Sequence, residues 1–132
     1  MSVAEAATIE TNTIVGHFIN GQDINDDNRP QPVTNPATGE VSRQVAMASR
    51  DTMEKAITAA EAAFPGWRDT PPVKRAKIMF RYKQLLEEHA QEIVALITNE
   101  HGKILDDALG ELSRGIEVVD YACGIPELLK GE

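Results

Sequence analysis

The sequence predicts a mainly helical α/β fold, with a small β-hairpin and one further strand placed ahead of about four helices. Two observations carry that prediction. From residue 51 to residue 122 apolar residues recur at spacings of three and four, which is the period of a helix with one covered face. Before them, short apolar arms flank Asn20-Gly21 and the run from Asn35 to Glu40, and both are turn sequences of extended chain. At 132 residues the length predicts one domain, which buries about two thirds of its unfolded surface. Hydrophobic residues at 42% and charged residues at 26% are those of a folding, soluble chain rather than a disordered one.

Residues 1–13 are small, polar and acidic, the composition of a flexible tail and of neither a secretory signal nor a transit peptide. Structure is expected from Ile14. Asn20-Gly21 predicts a two-residue hairpin turn, because both positions tolerate positive φ. Residues 23–32, with three Asp, two Asn and two Pro, read as a polar surface loop. In Asn35-Pro36-Ala37-Thr38-Gly39-Glu40, proline presets one φ and glycine supplies a positive one before a strand over residues 41–47. The period of two puts Val41, Val45 and Met47 on its covered face.

A helix is expected to open at Asp51, with Glu54 closing an Asp-type capping box, and to end at Pro65-Gly66. Its buried stripe is Met53, Ala56, Ile57, Ala60 and Phe64. Thr70-Pro71 reads as a cap followed by proline at the first helical position. The long stretch that follows shifts phase near Glu88-His89 and is divided there, with His89 at the cap. Gly102 predicts a left-handed C-cap, with Lys103 placed at the negative helix end. Residues 105–122 form the last long helix, striped by Leu105, Ala108, Leu109, Leu112, Ile116 and Val119. Gly124 ends it, and Pro126 opens a short final turn.

Function is less legible from these patterns. A net charge of −8 argues against nucleic acid, and no apolar run is long enough for a membrane span. Six Lys and Arg face one Asp between Arg68 and Lys83, a pattern that serves solubility or holds a phosphate. His17, His89 and His101 are dispersed, and no His/Cys/carboxylate spacing fits zinc. Neither phosphate-loop pattern occurs. Cys123 is the only cysteine, which excludes an internal disulfide and suits a reducing, cytoplasmic setting as a buried thiol. Arg114 sits opposite the apolar stripe of its helix, on a face with Asp107, Glu111, Val118 and Tyr121. Such a face is either solvated surface, with Glu111 and Arg114 as an i, i+3 ion pair, or a site. Gly110 and Gly115 inside this helix each cost about 1 kcal/mol relative to alanine, for which close packing or a neighbouring ligand channel is a reason.

Motifs taken together carry a resemblance. F-I-N-G at residues 18–21, N-P-A-T-G-E at 35–40, the run through Ala60 and Ala63-Phe64 to Trp67, and E-H-G-K at 100–103 resemble, in order and spacing, the N-terminal part of the aldehyde dehydrogenase superfamily. The match covers residues 14–132. Residues 110–132, G-E-L-S-R-G-I-E-V-V-D-Y-A-C-G-I-P-E-L-L-K-G-E, look like the CoA-acylating methylmalonate-semialdehyde dehydrogenases. That resemblance implies the N-terminal, mainly helical segment of the cofactor domain, incomplete without a later Rossmann-type sheet. It implies oxidation of malonate and methylmalonate semialdehydes to acyl-CoA in valine and inositol breakdown, with NAD and CoA bound by the complete enzyme and not by this segment.

The resemblance assigns the substrate carboxylate to Arg114, with Glu111 orienting it, and a monovalent cation to Val33, Thr34 and Glu100. A guanidinium fork suits a semialdehyde acid, whose carboxylate lies a short distance from its reacting carbonyl. The catalytic cysteine is expected beyond residue 132, so no catalytic residue is assigned here. The expected partners are the rest of the dehydrogenase chain and further subunits of a homotetramer. The helical stripes then lack their cover, and an exposed apolar face with self-association is expected. Two other readings stay open: a non-catalytic helical module that associates with full-length dehydrogenase subunits, and a segment of another aldehyde dehydrogenase subgroup.

Overall fold

The computed structural model describes residues 14–26 and 29–131. The tail expected over residues 1–13 lies outside them. The described residues group into two compact units, one within Thr8–Asp69 and one within Thr70–Glu132.

The first unit is built from β1 (Ile14–Val15), β2 (His17–Ile19), β3 (Gln22–Ile24), β4 (Pro30–Thr34), β5 (Val41–Ala46) and α1 (Arg50–Arg68). β2 and β3 form the expected hairpin, in register from His17↔Ile24 to Ile19↔Gln22. Asn20 and Gly21 have φ of 52° and 76° at its turn, the two positive angles of a tight hairpin. A second sheet has the order β1-β5-β4, with β1 parallel and β4 antiparallel to β5.

β4 corrects the surface-loop reading of residues 23–32, since it begins at Pro30 while β3 runs to Ile24. Two prolines argue against a central strand but not against an edge. Alternate residues turn their N–H groups to opposite sides, so Pro30 and Pro32 lose donors on one side only, and β4 is at the sheet edge.

The covered face of β5 is also not the expected one. The register shifts between Val33↔Arg43 and Thr34↔Val41, leaving Ser42 as the extra residue, whose Oγ donates to the Val33 carbonyl at 3.1 Å. A bulge breaks the period of two. Val41 is 51% exposed, Met47 is exposed, and Ala46, on the face opposite Val45, is the buried member. The turn between β4 and β5 forms as predicted, with Gly39 N–H donating to Asn35 O at 2.8 Å and Gly39 at φ 75°.

α1 starts from Ser49 rather than Asp51. Ser49 Oγ accepts from Thr52 N–H at 3.2 Å, while Asp26 Oδ2 accepts from Ser49 N–H and from Thr52 Oγ1, both at 2.7 Å. Asp26 and Thr52 are buried. A remote carboxylate thus supports the cap, and Glu54 instead accepts from Arg50 Nε at 2.9 Å. Nor does Pro65-Gly66 end this helix, which continues to Arg68. A proline in the last turn removes one donor, and its fixed φ is helical.

The second unit is α2 (Pro72–Glu88), α3 (Ala90–His101), α4 (Leu105–Cys123) and α5 (Ile125–Leu128). Pro71, not Thr70, is the N-cap of α2, and no side chain caps it. The second proline explains this, because the residue before a proline is pushed to extended geometry, and Pro71 has ψ 141°. The division at His89 holds: it ends α2 and starts α3, with no side-chain cap bond. Its Nδ1 lies 3.0 Å from Glu92 Oε1. Gly102 has φ 78° and closes α3 as expected. The core joins α3 and α4 through Val94, Ala108 and Leu112, with Ala90, Ile93, Ile97 and Ile116 packed around them. Cys123 is buried at the end of α4. No helix among the described residues is long and apolar enough to cross a membrane.

Candidate functional site

α4 presents two faces of opposite character. Ala108 and Leu112 are buried. Near its end, Lys83 Nζ of α2 donates to Asp120 Oδ1 at 2.8 Å, and this bond holds the Lys83 ammonium above its usual pKa of 10.5. These contacts fix the rotation of α4. On the far face Arg114 is exposed, Val118 is 69% exposed and Tyr121 70% exposed. This is the face that residues 105–122 predict from spacing alone.

Arg114 makes no hydrogen bond or ion pair within 4 Å among the described residues. One turn back, an added Cβ at Gly110 would lie 3.9 Å from Arg114 Nη1, an ordinary contact distance, and meet nothing else within 4 Å. Close packing within the described chain therefore does not account for glycine at 110. Gly115 likewise has open space around it.

The structure brings Glu111 to Lys103, not to Arg114. Lys103 Nζ donates to Glu111 Oε2, and the two side chains are 21% and 48% exposed. The hydrogen bond and charge of Lys103 hold the Glu111 carboxyl below its usual 4.5, with smaller contributions from His101 and Arg114. Lys103 was expected at the negative end of α3, and reading the sequence did not join it to Glu111. The two are eight positions apart, across the left-handed turn at Gly102 and the start of α4, so no helical spacing relates them. Asp26 was missed for a similar reason. It lies in a polar stretch, and 23 residues separate it from the Ser49 it supports.

The cation residues fall in different units, Val33 and Thr34 in β4 and Glu100 in α3. Among the described residues no group of three or more His, Cys, Asp or Glu is placed to hold a metal ion. The basic residues from Arg68 to Lys83 are partly neutralised rather than gathered. Arg68 bonds Asp69 at 2.8 Å and lies 5.8 Å from the Phe64 ring, Arg81 lies 3.7 Å from Glu88, and Lys83 takes Asp120.

The sequence model of the aldehyde dehydrogenase family matches residues 24–132. The chain belongs to that family. It is 56% identical over 116 residues to a malonate-semialdehyde dehydrogenase of Pseudomonas aeruginosa, a match covering 88% of this chain and 23% of that protein. The crystal structure of a methylmalonate-semialdehyde dehydrogenase from Oceanimonas doudoroffii superposes with a TM-score of 0.89 at 62% identity, over 91% of this chain and 25% of that one. A Sinorhizobium meliloti chain assigned to the same activity, and complexed with NAD, superposes at 0.88 with 40% identity, over 93% of this chain and 25% of that one. The chain thus spans about a quarter of the length of the relatives it matches.

The described residues do not form the strand–glycine turn–helix unit that cradles a dinucleotide's phosphates. The parallel pairing of β1 with β5 is two residues long, and the chain has no glycine-rich turn leading from a strand into a helix.

Proposed function

We propose that this chain forms the N-terminal helical part of an NAD-dependent, CoA-acylating malonate or methylmalonate-semialdehyde dehydrogenase, and that Arg114 binds the substrate carboxylate there. One observation carries the reading of the site: an exposed guanidinium on a helix whose other face is fixed by its core, with no carboxylate of the described chain in its fork. A planar fork with two parallel N–H donors suits a carboxylate and distinguishes a semialdehyde acid from a neutral aldehyde. The names of the relatives at 56% and 62% identity support that substrate class.

NAD and CoA would be held by residues outside this chain, where NAD would supply the hydride acceptor and CoA the acyl acceptor. The chain's own part is to bind and orient: Arg114 fixes the carboxylate end, and Glu111, one turn earlier and held by Lys103, acts on the Arg114 guanidinium only through its charge. Val33 and Thr34 carbonyls and the Glu100 carboxylate are proposed as donors to a monovalent cation. Each is tested by the shift in melting temperature on replacing sodium with tetramethylammonium. Subunits of a cytoplasmic homotetramer are the proposed partners.

The test is Arg114→Ala in a full-length dehydrogenase carrying residues 14–131 of this chain. Loss of kcat/KM confined to carboxylate-bearing aldehydes is expected, of about tenfold or more for a charge-assisted pair. Equal loss on propanal would make Arg114 structural and overturn the reading.

A further inference from the structure

The geometry points to Lys103 as a positioning residue that holds the Glu111 carboxylate away from Arg114 and so leaves the guanidinium open to a substrate carboxylate. The inference rests on the reading of Arg114 as carboxylate anchor.

Glu111 and Arg114 are three residues apart on one helix, a spacing at which an acid and an arginine are within reach of each other. Such a pair would place in the guanidinium fork the same chemical group that the substrate brings. The chain would then compete with its own ligand. In the structure Glu111 Oε2 accepts instead from Lys103 Nζ, and Lys103 is the less exposed of the two, at 21%. One local feature makes this possible. Gly102, at φ 78°, ends α3 at His101 and turns the chain so that Lys103 precedes α4 rather than extending α3. A carboxyl is ionised at neutral pH, and the Lys103 ammonium, by hydrogen bond and charge, favours that ionised form of Glu111 further.

The experiment uses a full-length dehydrogenase carrying residues 14–131 of this chain, with malonate semialdehyde and propanal as the two substrates. In Lys103→Met, the KM for malonate semialdehyde is expected to rise about two- to fivefold, the size of a local ion pair in the fork, with kcat kept and propanal unaffected. Lys103→Met/Glu111→Gln should bring that KM back, and Lys103→Arg should never lose it. The Arg114 Nε–H resonance should move in Lys103→Met and return in the double variant, a change that loss of a distant positive charge would not produce. An unchanged KM, a loss that falls on kcat or on both aldehydes, or a double variant that restores nothing would overturn the proposal. If Arg114→Ala fails to discriminate between the aldehydes, the functional reading falls and this inference with it. If Arg114→Ala discriminates and Lys103→Met does not, only the role of Lys103 falls.

Discussion

α1 and α4 are each 19 residues long and each repeats apolar residues at helical spacing, yet they are covered very differently. In α4 the stripe is filled over its first half: Ala108 and Leu112 are buried and form a cluster with Val94 of α3, and Cys123 is buried at the helix end. In α1 the one buried residue is polar, Thr52, and Met53, Ile57 and Phe64 remain 58%, 53% and 57% exposed. Periodicity therefore identifies an apolar face, but coverage depends on what else the chain brings to that face. In α4 the stripe stabilises by burial, whereas α1 is anchored at one end by polar bonds from Asp26.

The largest effect that sharpens this contrast is expected in the α3/α4 core. Leu112→Ala should cost about 2–4 kcal/mol, from lost transfer energy plus a cavity. Its counterpart in α1, Ile57→Ala, should stay within about 0.5 kcal/mol because that side chain is half exposed already. Urea denaturation followed by far-UV circular dichroism compares the two, and equal losses would break the distinction between covered and uncovered stripes.

Next in size is Asp26→Ala, which strips Ser49 N–H and Thr52 Oγ1 of their acceptor at a buried site and should cost about 1–3 kcal/mol. A smaller loss in Asp26→Asn, measured the same way, is expected because one acceptor oxygen survives. Gly115→Ala should raise stability by about 1 kcal/mol, since its Cβ meets nothing within 4 Å and helical alanine is preferred over glycine. A loss there would mean that a partner of this chain packs against that glycine.

The smallest expected effect is on pH dependence, since both groups face solvent. Glu111 has a lowered pKa, so its contribution is present above 4.5 and is lost as pH falls through the folded value. Lys83 has a raised pKa, so its contribution is present below 10.5 and is lost as pH rises through the folded value. Melting temperatures should form a plateau between these limits. Glu111→Gln should flatten only the acid limb, and Lys83→Met only the alkaline one.

Local chemistry made much of this molecule legible in advance. The hairpin at Asn20-Gly21, the turn at Gly39, the division at His89, the left-handed cap at Gly102 and the extent of α4 all depend on residues within a few positions of one another. The exposed face of Arg114 was legible the same way, because rotation about a helix axis follows from spacing, whereas its role as a carboxylate anchor came from the resemblance alone. The errors have a common cause. Ser49 rather than Asp51 caps α1 because of a carboxylate 23 residues earlier. A bulge against β4 breaks the alternation of β5 at Ser42, and Pro30 and Pro32 enter a strand because that strand is at an edge.

By itself the sequence determined which segments are helical, where most of them stop, which face of each is apolar and, through its motifs, the family. Tertiary structure alone decided which apolar faces are covered, which acceptor completes each cap and which cation takes Glu111. Spacing along a chain sets direction on a helix or strand, but partners distant in sequence meet only when the chain has folded.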